Sequence, residues 1–440
     1  MGQQNLPRET ALRGTADSRP SKRRRGRLVV LAGATAGLLA LVAACGSGGD
    51  DKADSPTVAP SAGSVLGPVN AAAGAPVKIG FISDGKTDIS DNSIEITVAK
   101  ATVKYLNQHK AGIGGRPIEL VSCESAADPS KGTDCANRLI EEKVVATVIG
   151  ASTVIGAAWE PLHAAHIPVM LYSGVTKATT QDTESTFAIQ DNTFGFYTLP
   201  IQRAKDAGLK KVTYVVIDVP AAVDSLKTVA PGVFQKAGVA LNVVAVPPGT
   251  ADMTPQMQNI VSKDPGLVFV LGNDSFCISA FKGLQAVGFT GPISTIGGCI
   301  TDATRKAVPG SILKGMTVAA SAPIGADNAS TRLYNAVAET YGSGIDTTRN
   351  IGMTSFIEVT ALVTGAQGIT GDITAANITS TIKKAPQRQL AGALDIGFRC
   401  NGKADPLAPS TCVRGGIISV LDDKGQPQAY KVLGATPIED

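Results

Sequence analysis

Residues 145–176, VATVIGASTVIGAAWEPLHAAHIPVMLYSGVT, constrain the fold more than any other stretch of this chain. An apolar run (145–149) stops at Gly150. A small polar pair, Ser152 and Thr153, then precedes about three helical turns that close near His166, a plausible length for a crossover helix. A second apolar run (167–172) ends in Ser173, Gly174, Val175 and Thr176. Strand, helix, strand with polar loops at both strand ends is a right-handed parallel crossover, which sets the two loops side by side. Hydroxyls and free backbone N–H groups at a helix start can hold an anion, so a small carboxylate could sit on Ser152 and Thr153; the same residues would equally serve as a plain helix cap. Trp159, the single tryptophan, is expected to pack rather than to stack on a ligand.

The N-terminus points outward from the cell. The basic cluster Lys22, Arg23, Arg24, Arg25 and Arg27 leads into an apolar run (28–44), and Val42-Ala43-Ala44-Cys45 resembles a lipobox. That reading makes residues 1–44 a signal peptide and Cys45 the lipid-bearing new N-terminus, with the protein held on the outer face of the cytoplasmic membrane. A single membrane-spanning anchor is the alternative, at the short end of what a bilayer requires. Arg24-Arg25 matches a twin-arginine signal only weakly, because Arg27 stands where that motif wants an apolar residue. Without residues 1–44 the chain holds 32 basic and 35 acidic residues, so the apparent basicity belongs to the signal and nothing favours nucleic acid. Seven cysteines leave six beside Cys45, falling as Cys123/Cys135, Cys277/Cys299 and Cys400/Cys412. An even remainder in an exported chain reads as disulfides; about 15 connectivities are open, and sequential pairing closes the shortest loops. Zinc would want tighter pairs.

Residues 45–76 are Gly-, Ser-, Ala-, Pro- and Asp-rich and are expected to form a disordered tether. The rest is too long for one ordinary core and alternates strands with helices, which implies parallel sheets covered on both faces. Strands are expected at Val77–Ser83 and 118–122, and Asp128-Pro129 opens a helix as a cap followed by proline. The rhythm breaks after Thr176 and restarts near 198 with helix 198–207, strand 212–217, helix 224–237 and strand 241–246. Helix 254–262, strand 267–271, helix 276–287 and strand 293–296 follow. A strand at 315–321, helices at 330–341, 351–367 and 375–383, and a hairpin (415–421, 428–433) turning at Asp422-Asp423-Lys424-Gly425 complete the chain. The expected fold class is α/β, two doubly wound parallel-sheet lobes joined by a multi-strand hinge. Lobe one takes 77–190 plus 318–393, and lobe two 191–317 plus 394–435.

In this order the motifs VKIGFIS, Gly112-Ile113-Gly114-Gly115-Arg116-Pro117-Ile118-Glu119-Leu120, Asp128-Pro129, the run 139–150 and Ile167-Pro168-Val169 are similar to the type I periplasmic solute-binding proteins of ABC importers. Lys210-Lys211-Val212, the run 249–254 and Gly288-Phe289-Thr290-Gly291-Pro292-Ile293 continue the match, which resembles most the branched-chain amino acid receptors. The resemblance implies capture of a small carboxylate-bearing solute by lobe closure and delivery to ABC permease subunits, with no cofactor, no metal and no catalysis. It places ligand contacts on Ser152 and Thr153, on the Gly174 carbonyl and the Thr176 hydroxyl. Second-lobe loops carrying Asp218, Asp274 and Phe276 would face the same solute. The loop Ser83-Asp84-Gly85-Lys86-Thr87 departs from the family form, and so does Gly297-Gly298-Cys299-Ile300, which lacks the acid that holds an ammonium in the amino acid receptors. A sensory receptor of the same fold and an extracellular hydrolase are the competing functions; no G-x-S-x-G elbow supports the second. Gly80–Thr87 also spells a P-loop, but its first glycine falls inside the strand and Asp88, Ser90 and Asp91 delay the helix. His163 and His166 share a helix end without a third metal ligand, so a role beside the helix C-terminus is expected.

Overall fold

The computed structural model describes residues 62–87 and 90–440. The expected signal peptide, the lipid site Cys45 and the first part of the tether lie outside the described residues. In chain order the elements of the first sheet region are α1 (Ala62–Leu66), β1 (Val77–Ser83), α2 (Ile94–His109), β2 (Ile118–Glu124), α3 (Pro129–Glu141), β3 (Thr147–Ile149), α4 (Ile155–Ala164), β4 (Val169–Leu171), α5 (Lys177–Gln181) and β5 (Thr186–Ala188). The second comprises α6 (Leu199–Asp206), β6 (Lys211–Ile217), α7 (Pro220–Thr228), α8 (Ala230–Ala237), β7 (Ala240–Val246), α9 (Thr254–Val261), β8 (Leu267–Leu271), α10 (Asp274–Ala286), β9 (Ile293–Ile296), α11 (Asp302–Ala307), α12 (Gly310–Leu313) and β10 (Thr317–Ala320). Then come α13 (Ala329–Tyr341), α14 (Asn350–Gly365), α15 (Ala375–Lys384), β11 (Arg388–Leu390), β12 (Ile396–Phe398), β13 (Gly416–Leu421) and β14 (Pro427–Leu433).

Five parallel strands form one sheet in the order β2-β1-β3-β4-β5, and seven form another, β14-β13-β10-β9-β8-β6-β7, in which β13 and β14 run antiparallel. Each sheet has two buried faces, as parallel sheets require. Strand alternation sends Ile79 and Phe81 of β1 into one core with α2, α13 and α14, and Ile82 into a second core with α3 and α4. In the other sheet Tyr214 and Val216 of β6 join α6 and α8 on one side, while Val215 meets α9 and α10 on the other. These are the two doubly wound lobes. Helix α14 is buried nearly all round, from Gly352 through Val363, so it acts as a core helix rather than an amphipathic cover.

The chain crosses between the sheets after β5, after β10 and before β13. Asp191 ties two crossings: its Oδ1 accepts the Thr193 and Phe194 N–H groups and its Oδ2 the Gly415 N–H at 2.9 Å. The Tyr172 hydroxyl donates to the Ser321 carbonyl of the third at 3.0 Å. Two boundaries fall elsewhere than expected. All of β10 pairs with β9 and β13 in the second sheet. Residues 394–413 stay with the first lobe, because β12 pairs with β11, Cys400 and Cys412 are buried in its core, and Thr411 bridges Ala188 of β5.

The expected tether is ordered from residue 62 onward. Leu66 is buried in the first-lobe core, and Asn70 and Ala72 donate to the carbonyls of Gln108 and Asn107. These are the acceptors that the C-terminal turn of α2 leaves open, so a segment poor in apolar residues is fixed by its backbone. The helix expected over 224–237 is two, α7 and α8, because Pro231 has no N–H and fits only the first turn of a helix. Asp128 caps α3 as expected, accepting the Ser130 N–H at 2.8 Å. The described cysteines pair sequentially, Cys123–Cys135, Cys277–Cys299 and Cys400–Cys412. Gly80 lies within β1, where an added Cβ would strike Leu139 and Thr147, so the P-loop pattern is a strand.

Candidate functional site

The carboxyl ends of both sheets open onto one cleft, where ligands of open parallel sheets are held. At the hinge it forms a cavity of about 610 Å³. Its walls are the turn after β4 (172–175), the crossing after β5 (189–196), the turn after β9 (296–298), the start of the crossing after β10 and the end of the crossing into β13. Apolar side chains dominate: Ile189, Phe194, Phe196, Ile357 and Ile417. Val175 and Phe196, from opposite lobes, are among the few large apolar side chains left exposed, at 61% and 36%. A second cavity of about 510 Å³ continues it between the loops after β1, β3 and β4 and the start of α14, sharing Tyr172, Ser173, Val175, Ser321 and Asn350.

The floor of this second cavity is acidic. In the first sheet β1 lies between β2 and β3, with Ile82 opposite both Cys123 and Ile149, so the loops after these strands meet. Asp84, 1% exposed, fills the meeting point. Its Oδ1 accepts the hydroxyls of Ser125 at 2.6 Å and Ser152 at 2.7 Å; its Oδ2 accepts the N–H of Thr153 at 2.7 Å and its hydroxyl at 2.9 Å. Burial alone would raise this carboxyl, but the four hydrogen bonds outweigh it and hold Asp84 below the usual range, hence ionised. Behind it Glu95 of α2 accepts the Ser83 hydroxyl at 2.5 Å and the Ala151 N–H at 2.9 Å, and burial pushes its carboxyl up to about 7. Glu358 of α14, also 1% exposed, lines the cavity; burial first, and the nearby Glu95 second, drive its carboxyl well above the ordinary value.

Family membership is read from the sequence as a whole. Residues 76–413 match the family model described as periplasmic binding protein. The chain belongs to that family. No curated protein sequence matches this periplasmic binding protein, whereas many solved structures share its fold. One is an ABC transporter substrate-binding protein from Sphaerobacter thermophilus, at TM-score 0.63 and 19% identity over 83% of this chain and 99% of that one. Another is the branched-chain amino acid transporter substrate-binding protein LivJ from Streptococcus pneumoniae in complex with isoleucine, at TM-score 0.57 and 16% identity over 82% and 99%. A third is a fatty acid ABC transporter substrate-binding protein from Thermomonospora curvata, at TM-score 0.57 and 14% identity over 84% and 95%.

Against this frame the sequence-derived ligand positions divide. Ser152 and Thr153 line the acidic cavity, but their donors already hold Asp84. A solute carboxylate placed there would stand about 4 Å from another carboxylate, at a cost of about 4 kcal/mol for a dielectric near 20. In the structure these donors are taken by an anion of the protein itself. Gly174 lines the hinge cavity, with its carbonyl taken by the Asn192 side-chain amide at 2.8 Å. Thr176 is exposed and caps α5, exchanging hydrogen bonds with Thr179. Asp218 is exposed at the end of β6, and Asp274 opens α10 and accepts the Ser275 N–H; neither lines either cavity. Phe276 is buried in the second-lobe core, its N–H capped by Asn273 and its ring folded under Gly272. Trp159 packs as expected, stacked on His163 and donating to Thr186, and His163 faces Ser185 and Asp182. Asp84, Glu358 and Phe196 line these cavities, with Glu95 behind Asp84, and none of the four was among the expected ligand positions. The unusual Ser83-Asp84 loop and an acid inside the apolar run of α14 were the available signals. Among the described residues no group of His, Cys, Asp and Glu is arranged to hold a metal ion, and no helix is long and apolar enough to cross a membrane.

Proposed function

We propose that this periplasmic binding protein is the exported solute receptor of an ABC importer, lipid-anchored through Cys45, which shuts its two lobes over one solute and presents the closed form to the permease subunits. The observation that carries the reading is the hinge cavity of about 610 Å³, walled by the carboxyl ends of both sheets and crossed by three chain segments. Several crossings restrict the lobes to a hinge motion, the usual way such two-lobed folds enclose a ligand. The structural relatives that hold isoleucine or are named for fatty acids support a role in solute uptake. The apolar lining favours a solute with an apolar body, whose burial between Val175 and Phe196 would supply about 25 cal/mol for each Å² removed from water. A polar amino acid or sugar gains little from such walls.

Two measurements test this. A thermal-shift screen of organic solutes should yield at least one compound whose stabilisation grows with its excess. Small-angle scattering with that compound should show a smaller radius of gyration than without it. A tight solute that leaves the radius unchanged, or that the protein turns over chemically, would refute capture by closure. Phe196→Ala should weaken the same solute by roughly 1–2 kcal/mol, read by titration calorimetry.

A further inference from the structure

The acidic cavity lacks a counter-charge. Its lining contains Asp84 and Glu358 and no lysine, arginine or histidine. Arg349, beside the start of α14, donates to the Asp91 carbonyl and lines neither cavity, and its charge acts on Glu95, not on Glu358. The Glu358 carboxyl accepts the Tyr172 backbone N–H, yet its Oε2 is buried without any hydrogen-bond partner. A buried, unpaired carboxyl oxygen is costly and demands an explanation. The hydroxyls of Ser152 and Thr153 already spend their protons on Asp84, so they present lone pairs, not donors, to any further group. Asp84 is already satisfied by four donors, so the buried side-chain oxygen of this floor left without a partner is Glu358 Oε2, which can take a cationic donor once the carboxyl gives up its own proton. With no cluster among the described residues arranged for a metal ion, an organic donor fits better than an inorganic cation.

We infer that the solute carries a protonated amine on an apolar body, the ammonium seated against Glu358 and Asp84 and the body running past Val175 into the hinge cavity beside Phe194 and Phe196. The inference rests on the receptor reading and names its solute class. The groups that act on Glu358 are Glu95 from α2 and the backbone N–H of Tyr172, just after β4, whose hydroxyl is engaged by Ser321; Asp84, on the same cavity, acts on Glu95. In the empty site burial, and after it Glu95, favours the protonated form of Glu358. Binding then reads R–NH3⁺ plus Glu358–COOH giving the ammonium–carboxylate pair plus one H⁺ released to solvent, with no other bond changed. Amine affinity consequently rises with pH until the free amine loses its own proton.

The test uses the full-length protein and shape-matched probes: hexylamine and phenethylamine against hexanoate and 3-phenylpropanoate, with leucine as the zwitterion. Titration calorimetry in two buffers of different ionisation enthalpy counts protons. The expected result is that amines bind, the matched acids do not, and up to one proton leaves per amine bound. Glu358→Gln should weaken the amines about tenfold or more and abolish the proton release. The proton count comes from the unsubstituted protein, so it stands even if the variant folds poorly. Acids or leucine binding as well as the amines, amines that do not bind, or amine binding that Glu358→Gln leaves intact would each overturn the inference. The receptor reading falls separately, on a bound solute of any class that produces no compaction.

Discussion

Asp84 offers the sharpest perturbation, because it takes the donors that the sequence alone would offer to a ligand or to a helix cap. Asp84→Ala removes one carboxylate and strands its donors. The Ser125 hydroxyl can turn to the Ser83 carbonyl, 3.4 Å away, but the Thr153 backbone N–H cannot turn. A stranded buried N–H costs about 1–3 kcal/mol, and losing charge-assisted bonds adds to it, for a total of about 3–5 kcal/mol. At about 2 °C per kcal/mol for a chain this size the melting temperature should fall by about 6–10 °C. The emptied site should then accept an external carboxylate. If acetate binds it with a Kd of about 10 mM, 0.1 M acetate restores about 1.4 kcal/mol, or about 3 °C, while the unsubstituted protein gains nothing specific. Scanning calorimetry of both proteins in acetate and in chloride at equal ionic strength decides the matter. Equal stabilisation of both by acetate, or an Asp84→Ala protein as stable as its parent, would refute the assignment. The sign with pH follows as well. Asp84 is depressed in the folded state, so its contribution is present above the ordinary aspartate value and is lost as pH falls through the folded one.

Glu95 should act in the opposite sense. Its folded carboxyl lies near 7 against an ordinary 4.5, so the folded protein holds the extra proton and stability declines from pH 4.5 up to about 7, by about 3 kcal/mol in all. Denaturation midpoints of Glu95→Gln across that range should be markedly flatter than those of the parent; parallel curves would contradict the shift. At Gly150 an added Cβ would come within 2.8 Å of Glu95 Oε1, which is pinned by the Ala151 N–H, so Gly150→Ala should cost about 1–3 kcal/mol in urea denaturation. The Cys277–Cys299 bridge ties the start of α10 to the turn that lines the hinge cavity. Replacing both cysteines with alanine should cost about 3 kcal/mol, measured without reductant, and an unchanged midpoint would show that packing alone fixes that turn.

Much of this architecture is written locally. The β–α alternation, the Asp128-Pro129 helix start, the hairpin of β13 and β14 and the sequential disulfides depend on periodicity, caps and short loops, all legible within a dozen or two residues. The same logic located the cleft, because the polar turns at 150–153 and 172–175 do end parallel strands and do line it. It could not locate the chemistry. Ser152 and Thr153 read locally as an anion site or a helix cap; that Asp84 lies within reach of their donors follows from β1 lying next to β3, a neighbour relation that no local pattern records.

What the sequence determined by itself is a pair of parallel α/β sheets with donors and turns at their carboxyl ends. Tertiary structure alone decided that Asp84 takes those donors, that Glu358 of a core helix returns beneath the same loops with an unpaired oxygen, and that residues 394–413 and 62–76 fold onto the first lobe. The physical reason is one of range. Periodicity and capping act over a few residues, whereas charge, desolvation and stranded hydrogen-bond groups are settled only when distant segments share a buried site.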